Sequence, residues 1–187
     1  MEEEIRKSLA VLEKGGTLLY PTDTVWGIGC DATNEKAVDK IYRIKKRMEN
    51  KSLIVLLDDT SRLQDYVGTV PDIAWDLMRK VHRPLTIIYP NARNIAKNVI
   101  GKDGSLAIRI SGNDFCKSLI RKLGKPIVST SANISGEDPP LTFNKISQDI
   151  LGQVDYVVNL YQDVVRQFRP SQIIKLNENG EFKIIRS

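Results

Sequence analysis

The sequence predicts a mixed α/β fold that forms a single domain over residues 1–187. Apolar runs typical of strands alternate with amphipathic helical segments along most of the chain, which favours parallel strand pairing. Near the end, two strand-like runs flank the turn Asn177-Glu-Asn-Gly180, whose Asn-Gly ending indicates a hairpin and therefore antiparallel pairing. No repeat or composition break divides the chain. We therefore expect a mixed sheet with flanking helices.

Apolar residues that recur on one face predict the helices, and capping residues mark several of their ends. In the first helix Ile5, Leu9 and Leu12 share a face, and Gly15-Gly16 ends it. Asn34 is suited to cap a second helix, because its side chain can accept from a free backbone N–H. The predicted helices are Glu3–Lys14, a helix following Asn34, Ser61–Tyr66, Pro71–Val81, Asp114–Leu123 and Thr142–Leu151.

Unbroken or alternating apolar runs predict the strands. The run Leu53–Leu57 is apolar throughout, which is typical of a strand buried on both faces. In a strand ending at Ile110, Leu106 and Ile108 would point one way and Arg109 the other. The predicted strands are Thr17–Tyr20, Leu53–Leu57, Thr86–Tyr89, Ser105–Ile110, Pro126–Thr130, Asp155–Asn159, Gln172–Leu176 and Phe182–Arg186.

Composition and charge indicate a soluble protein with a mild preference for anionic partners. No apolar run approaches the ~18 residues of a membrane span, and the acidic start is unlike a secretory signal. Cys30 and Cys116 lie 86 positions apart, so we expect free thiols in a reducing, cytoplasmic environment. The net charge of +5, from 28 basic and 23 acidic residues, favours nucleotides or RNA.

The sequence lacks the common catalytic sets. His82 is the only histidine, no Gly-x-Ser-x-Gly elbow or Gly-Lys-Ser/Thr phosphate loop is present, and no His/Cys metal spacing occurs. An enzyme of this composition would work by positioning and charge stabilisation, as in phosphoryl or nucleotidyl transfer. A hydrolase would need a general base, for which Asp23 is the one candidate.

Polar clusters that adjoin apolar strands are the candidate binding segments, and each also has a structural interpretation. The first segment is Tyr20-Pro-Thr-Asp-Thr-Val-Trp-Gly-Ile-Gly29, in which Thr22, Asp23 and Thr24 precede two glycines. The second segment is Ser129-Thr-Ser-Ala-Asn-Ile-Ser-Gly136, which follows the apolar run Pro126-Ile-Val. Each of these two segments could also be an ordinary loop. Lys45, Lys46, Arg47 and Lys51 could clamp phosphate or only complement a helix dipole. Arg109 could bind a carboxylate or face solvent.

Taken together, these segments resemble the threonylcarbamoyl-AMP synthase family, the YrdC-like proteins, in its short single-domain form. The matching elements occur in family order and cover nearly the whole chain. They are Tyr20–Gly29, Lys45-Lys-Arg47 followed by Lys51-Ser-Leu53, Pro84-Leu-Thr86, Ala107-Ile-Arg109 and Ser129–Gly136.

The resemblance implies a YrdC-like fold, with a twisted mixed parallel/antiparallel sheet and an open basic cleft. It also implies a nucleotidyltransferase that makes threonylcarbamoyl-AMP and pyrophosphate from ATP, L-threonine and bicarbonate. Partner proteins would then pass the threonylcarbamoyl group to the adenosine next to the anticodon of tRNA. Mg²⁺ is expected as the usual companion of ATP. No resident metal site and no membrane association are expected.

The resemblance also assigns roles to individual residues. Lys45, Arg47 and Lys51 fall on catalytic positions that gather phosphate. The threonine site would comprise Thr22, Thr24, Arg109 and Ser171. The nucleotide site would comprise Arg47, Lys51, Ser105, Ser131, Asn133, Thr142 and Arg186.

Two departures from the family pattern motivate an alternative function. Leu56 stands where active synthases can carry a threonine-contacting histidine, and Gln172 stands where a threonine usually follows Ser171. The alternative is a YrdC-like paralogue that binds nucleotide, tRNA or double-stranded RNA without making the adenylate. A pure RNA binder often uses stacking aromatics, and the aromatic content here is only 6%.

Overall fold

The strands form one mixed sheet, which confirms the predicted fold class. The computed structural model describes residues 1–46, 53–164 and 170–187. The strands in these ranges are β1 (Leu18–Pro21), β2 (Trp26–Gly29), β3 (Ile54–Leu57), β4 (Leu85–Tyr89), β5 (Leu106–Ile110), β6 (Ile127–Ser131), β7 (Tyr156–Val157), β8 (Gln172–Leu176) and β9 (Phe182–Arg186). Their order is β7-β1-β2-β6-β3-β5-β4-β8-β9. The pairs β1–β7, β3–β5 and β4–β8 are parallel, and the other neighbours are antiparallel.

The helices flank this sheet and begin and end close to where the sequence predicts. They are α1 (Glu2–Glu13), α2 (Glu35–Ile44), α3 (Leu63–Tyr66), α4 (Asp72–Lys80), α5 (Asp114–Leu123) and α6 (Gln148–Leu151). Asn34 caps α2 as predicted, since its Oδ1 accepts from the N–H of Ala37 at 3.2 Å. The helix α5 ends at Gly124, whose positive φ of 70° suits glycine. None of the helices in the described ranges is long and apolar enough to cross a membrane.

Three segments differ from the prediction. The strand β2 is absent from the prediction, because two of its four residues are glycines, which interrupt the apolar run that marks a strand. The predicted helix Thr142–Leu151 is broken into a 3₁₀ turn at Phe143–Lys145 and the short α6, since Ile146 is extended and Ser147 starts a new helix. The predicted strand Asp155–Asn159 shortens to β7.

The two faces of the sheet are covered differently, and this difference creates the cleft. One face carries the larger core, where strand residues such as Val55 and Ile108 pack with Val38 and Ile41 of α2. On the other face α1 and α5 cover only one end, where Leu12 and other residues form a second apolar cluster. The remaining part of that face holds the candidate site.

Gly29 allows a tyrosine to cross β2. The hydroxyl of Tyr20 in β1 donates to the carbonyl of Val128 in β6 at 3.0 Å. A Cβ at position 29 would lie 1.9 Å from the Val128 oxygen and 2.9 Å from the Tyr20 hydroxyl. The tyrosine can reach its partner only because Gly29 has no side chain.

We expect Gly29→Ala to lower the free energy of unfolding by about 3 kcal/mol, because the new methyl overpacks a buried strand. Urea denaturation of the purified variant would measure this loss. Gly112→Ala is the matched control, since a Cβ there meets nothing closer than 3.5 Å. A stability loss at Gly29 no larger than that of the control would contradict the proposed role of this glycine.

Candidate functional site

A cleft of about 290 Å³ occupies the uncovered part of the sheet. The register places Ile54 beside both Ala107 and Ser129, so the three side chains share the face that the cleft uses. The apolar floor comes from these strands and from β4 and β8. The polar side chains that line the cleft are Thr22, Thr24, Arg109, Ser129, Thr130, Ser131, Ser171 and Arg186.

Arg109 lies inside this cleft and does not face solvent. Its residue is only 4% exposed. Nη2 lies 3.2 Å from Oδ1 of Asp23, and Nη1 donates to the Thr24 hydroxyl at 3.4 Å. Its Nε is buried and has no hydrogen-bond partner among the described residues. Because buried N–H groups are nearly always paired, this donor is available to a bound anion.

The turn between β1 and β2 presents two ordered hydroxyls to the same end of the cleft. The Thr22 hydroxyl donates to the carbonyl of Val25 at 2.6 Å and accepts from the N–H of Thr24 at 3.0 Å. The two threonine hydroxyl oxygens are 3.1 Å apart. Their positions are therefore set by the turn before any ligand binds.

The opposite side of the cleft carries a hydroxyl chain that ends in a second arginine. The hydroxyls of Thr86 and Ser171 are 2.8 Å apart. Arg186 donates from Nη2 to the Ser171 hydroxyl at 3.1 Å and from Nε to the Ser171 carbonyl at 3.0 Å. Burial, and then the positive charge of Arg109, lower the pKa of Arg186. The mutual repulsion of two guanidiniums favours binding of an anion between them.

Thr86 was missed by the sequence-based assignment of site residues. The signal was the alternation in Leu85-Thr-Ile-Ile-Tyr89, which places Thr86 opposite to Leu85 and Ile87. The sequence does not reveal that Thr86 is the register partner of Arg109, and that pairing brings it to the site.

Lys45 supports the loop that bounds the cleft and does not line the cleft itself. Its residue is 2% exposed. Nζ donates to the carbonyls of Ser131 and Asn133 at 2.5 and 2.6 Å, and the Lys45 carbonyl accepts from the N–H of Ser135 at 2.9 Å. Both ends of the residue therefore tie α2 to the 131–137 loop, and the predicted catalytic contact stays untested.

Five of the seven predicted nucleotide residues fall into three groups. Ser131 and Arg186 line the cleft. Asn133 lies behind it, with its amide Nδ2 donating to two carbonyls of its own loop, while its Oδ1 has no partner among the described residues. Arg47 and Lys51 lie outside the described residues, so the basic character of the wider cleft stays a prediction.

Two further nucleotide assignments lie away from the described cleft lining. The Ser105 hydroxyl donates to Asp103 at 2.6 Å, within the turn before β5. Thr142 precedes the 3₁₀ turn that follows the 131–137 loop and stands apart from the cleft lining. Neither side chain is in contact with the cleft, and their contact with a nucleotide remains a prediction.

The two departures from the family pattern have structural explanations. Leu56 is fully buried and packs in the apolar cluster under α1 and α5, and it does not line the cleft. The Gln172 side chain accepts from Nε of Arg83 at 3.3 Å.

His82 is exposed after the end of α4, as expected for a loop residue. Cys30 and Cys116 are both buried free thiols, as predicted.

Comparison with known proteins places this fold and cleft in one family. The family model described as "Telomere recombination" (Sua5, YciO, YrdC) matches residues 10–187. The threonylcarbamoyl-AMP synthase of Pseudoalteromonas translucida (strain TAC 125) is 33% identical over 161 residues, covering 84% of this chain and 86% of that protein.

Solved structures give the same assignment. P. abyssi Sua5, in a complex with L-threonine, is 27% identical with a TM-score of 0.87; the match covers 95% of this chain and 52% of that one, so this chain spans about half of the Sua5 length. E. coli YciO is 23% identical with a TM-score of 0.86, and the match covers 100% of this chain and 89% of the YciO chain. At this identity the likeness supports the fold alone. The chain belongs to the Sua5/YciO/YrdC family.

Proposed function

We propose that the protein is an L-threonylcarbamoyladenylate synthase, a nucleotidyltransferase that makes threonylcarbamoyl-AMP and pyrophosphate from ATP, L-threonine and bicarbonate. The observation that carries this proposal is the buried Arg109 beside the hydroxyls of Thr22 and Thr24, in one cleft with Arg186. The synthase name of the P. translucida relative and the L-threonine complex of P. abyssi Sua5 support it.

Threonine would bind at the Arg109 end of the cleft. A guanidinium recognises a carboxylate through paired N–H donors, and Arg109 has a buried Nε without a partner among the described residues. Asp23 lies 3.2 Å from Nη2 and balances part of the guanidinium charge. The hydroxyl of the bound threonine substrate would then hydrogen-bond to the hydroxyls of Thr22 and Thr24, or to those of Thr86 and Ser171.

The adenylate would form without a covalent enzyme intermediate. The threonine amine takes up CO₂ derived from bicarbonate and loses a proton, which gives a carbamate. A carbamate oxygen attacks the α-phosphorus of ATP, forming a new P–O bond, while the bond to the β-phosphate oxygen breaks and pyrophosphate leaves. This step needs charge stabilisation, which Arg186 and the predicted cations Arg47 and Lys51 would supply. It needs no histidine or serine nucleophile.

Mg²⁺ would arrive as part of the ATP substrate. Among the described residues, no group of three His, Cys, Asp or Glu side chains is placed to hold a metal ion. The carboxylate closest to the threonine end, Asp23, is already paired with Arg109. The phosphate oxygens of ATP would therefore provide the anionic ligands for the ion.

The product would be passed to partner proteins that modify tRNA beside the anticodon, a role that belongs in the cytoplasm. The mixed anhydride is labile in water, so a cleft with an apolar floor of Ile54, Ile88 and Ile173 would protect it. Direct binding of tRNA or double-stranded RNA would use the net positive charge and would weaken steeply with salt.

The proposal predicts pyrophosphate release that depends on every substrate. Purified protein with ATP should release pyrophosphate only when threonine and bicarbonate are both present. Serine, which lacks the β-methyl group, is the matched substrate control, and we expect a rate roughly 10-fold lower. Release that is indifferent to threonine, or no release while ATP still binds, would instead support a nucleotide-binding or RNA-binding paralogue.

A further inference from the structure

A second cavity, here called the α4 cavity, lies on the sheet face opposite to the cleft. Its volume is about 350 Å³, within the ~300–1,000 Å³ range of small-molecule pockets. Its walls are mostly aliphatic and come from α3, the end of α4 and the strands β4 and β5. The apolar wall residues with open-chain side chains are Leu63, Met78, Val81, Leu85, Ile87, Ile108 and Ile110.

The end of α4 forms one wall of this cavity. Met78 lines the cavity together with Val81, the residue that follows the helix. Ala74 is the only fully buried residue of α4, whereas Ile73, Trp75, Leu77 and Met78 are partly exposed and pack against the larger core. The helix therefore covers this part of the sheet incompletely, and the cavity lies beside its end.

Tyr89 is the feature that points to a ligand. It lines the cavity, is 1% exposed, and its hydroxyl makes no hydrogen bond within the described chain. The hydroxyls of three other buried tyrosines all have partners: Tyr20 donates to Val128, Tyr42 donates to Asn98, and Tyr66 accepts from Arg62. Burial raises the pKa of Tyr89, so its hydroxyl stays a neutral donor. This hydroxyl can therefore donate to an acceptor in the cavity, which is water when no ligand is bound.

The mouth of the cavity favours an anion. Arg83 is exposed and donates to the neutral Gln172 side chain, and it makes no ion pair with any described residue. His82 adjoins it. Asp23 is the acid in the lining: its Oδ2 accepts from the N–H of Gly112 at 3.0 Å, and its Oδ1 lies 3.2 Å from Nη2 of Arg109, which balances its charge without a hydrogen bond. The cation of Arg83 is thus left for a ligand carboxylate.

We propose that the α4 cavity is a second ligand site, which binds a small amphipathic carboxylate with an apolar body and an internal hydrogen-bond acceptor. The apolar body lies beside the end of α4, the acceptor receives the Tyr89 hydroxyl, and the carboxylate pairs with Arg83. The strand β4 separates these two polar groups along its length, so the occupant is elongated. The site is distinct from the cleft, because the two open on opposite faces of the sheet, and Asp23, which lines the cavity and pairs with Arg109, lies between them.

The probe for this site is 6-acetyl-2-naphthoate, which has a flat apolar body with a carboxylate at one end and a carbonyl acceptor at the other. Its matched ligands are 2-naphthoate, which lacks the acceptor, and 2-acetylnaphthalene, which lacks the carboxylate. We expect titration by fluorescence or calorimetry to show that the full probe binds the wild-type protein more tightly than either matched ligand. Wild-type protein that binds none of the three at millimolar concentration would overturn the proposal.

Two variants locate the probe. Tyr89→Phe should weaken 6-acetyl-2-naphthoate by roughly 5- to 10-fold and leave 2-naphthoate unchanged, since only the hydroxyl contact is lost. Arg83→Gln should weaken both carboxylates and leave 2-acetylnaphthalene unchanged. Tyr42→Phe deletes a hydroxyl elsewhere and is the control, with no expected effect on the probe.

The same variants separate a ligand site from a packing defect. Tyr89→Phe removes an unpartnered hydroxyl, so it should fold normally and melt no lower than wild type, whereas Tyr42→Phe loses a hydrogen bond and should melt lower. Probe affinity that Tyr89→Phe and Arg83→Gln both leave unchanged would place the probe elsewhere and refute the α4 site.

Discussion

The Arg109→Gln variant is expected to require roughly 10- to 100-fold more threonine for half-maximal pyrophosphate release, which corresponds to loss of about 1.5–3 kcal/mol from a charge-assisted contact. Glutamine keeps much of the side-chain volume but lacks the charge and the paired N–H donors that a carboxylate needs. The affinity for ATP should change by no more than about 2-fold, because the proposed nucleotide contacts are made by other residues. Initial rates at varied threonine and varied ATP would measure the two effects separately.

The control for this experiment must account for the ion pair that the substitution breaks. Arg109 pairs with Asp23, so its loss leaves a partly buried carboxylate without its cation and lowers stability. Arg62→Gln is a matched control, because Arg62 lies 3.2 Å from Asp58, which is also buried, and lies outside the cleft. Arg62→Gln should lower stability without changing the threonine requirement. An unchanged threonine requirement in folded Arg109→Gln would disprove the carboxylate assignment.

The direction of Arg109 could be predicted from the sequence because it depends only on local alternation. Leu106 and Ile108 must face a core, so a strand that contains them turns Arg109 to the other face. What lies on that other face depends on which helices cover it. The cleft exists because α1 and α5 stop short of this part of the sheet, and no local pattern encodes that end point.

Positions that depend on strand order were not predictable in the same way. Thr86 reaches the site through its register with Arg109. This register depends on the order β3-β5-β4 in the sheet, which differs from the order of these strands along the chain. β2 was missed because Gly27 and Gly29 interrupt the apolar run that would mark it as a strand. Gly29 instead allows the Tyr20 side chain to cross a strand, which requires knowledge of three strands at once.

Lys45 makes structural contacts that the motif did not predict, and its catalytic role stays a prediction. The basic cluster at the end of α2 suggests cations that face phosphate, yet the buried Nζ of Lys45 donates to two backbone carbonyls of the 131–137 loop. The neighbouring Lys46 is exposed and lies 3.7 Å from Asp149. Two adjacent lysines in one motif therefore have different physical roles, and the difference arises from a long-range contact with the end of β6.

Lys45→Met is accordingly expected to destabilise the protein by about 2–5 kcal/mol, because it removes two hydrogen bonds from a charged donor, each worth about 1.5–3 kcal/mol. The Asn133 carbonyl is left without a donor from the described residues, whereas the Ser131 carbonyl keeps the N–H of Asn133. Methionine has nearly the same length and shape, so packing changes little and the loss reports on the hydrogen bonds. Urea denaturation would measure this change. Lys46→Met is the matched control, with an expected change below about 1 kcal/mol because an exposed ion pair contributes little.

Activity separates the supporting role of Lys45 from a direct catalytic one. If Lys45 acts by holding the loop that carries Ser131 and Asn133, Lys45→Met should weaken ATP binding together with stability, since the nucleotide wall loses its order. A lysine that only stabilised charge in the transition state would instead lower kcat while stability and ATP affinity stayed near wild type. Lys45→Arg completes the comparison, because it keeps the charge but cannot fit the same two carbonyls in a buried space shaped for an ammonium. Full stability with lost turnover in Lys45→Met would therefore support the catalytic assignment that the resemblance implies and contradict the supporting role.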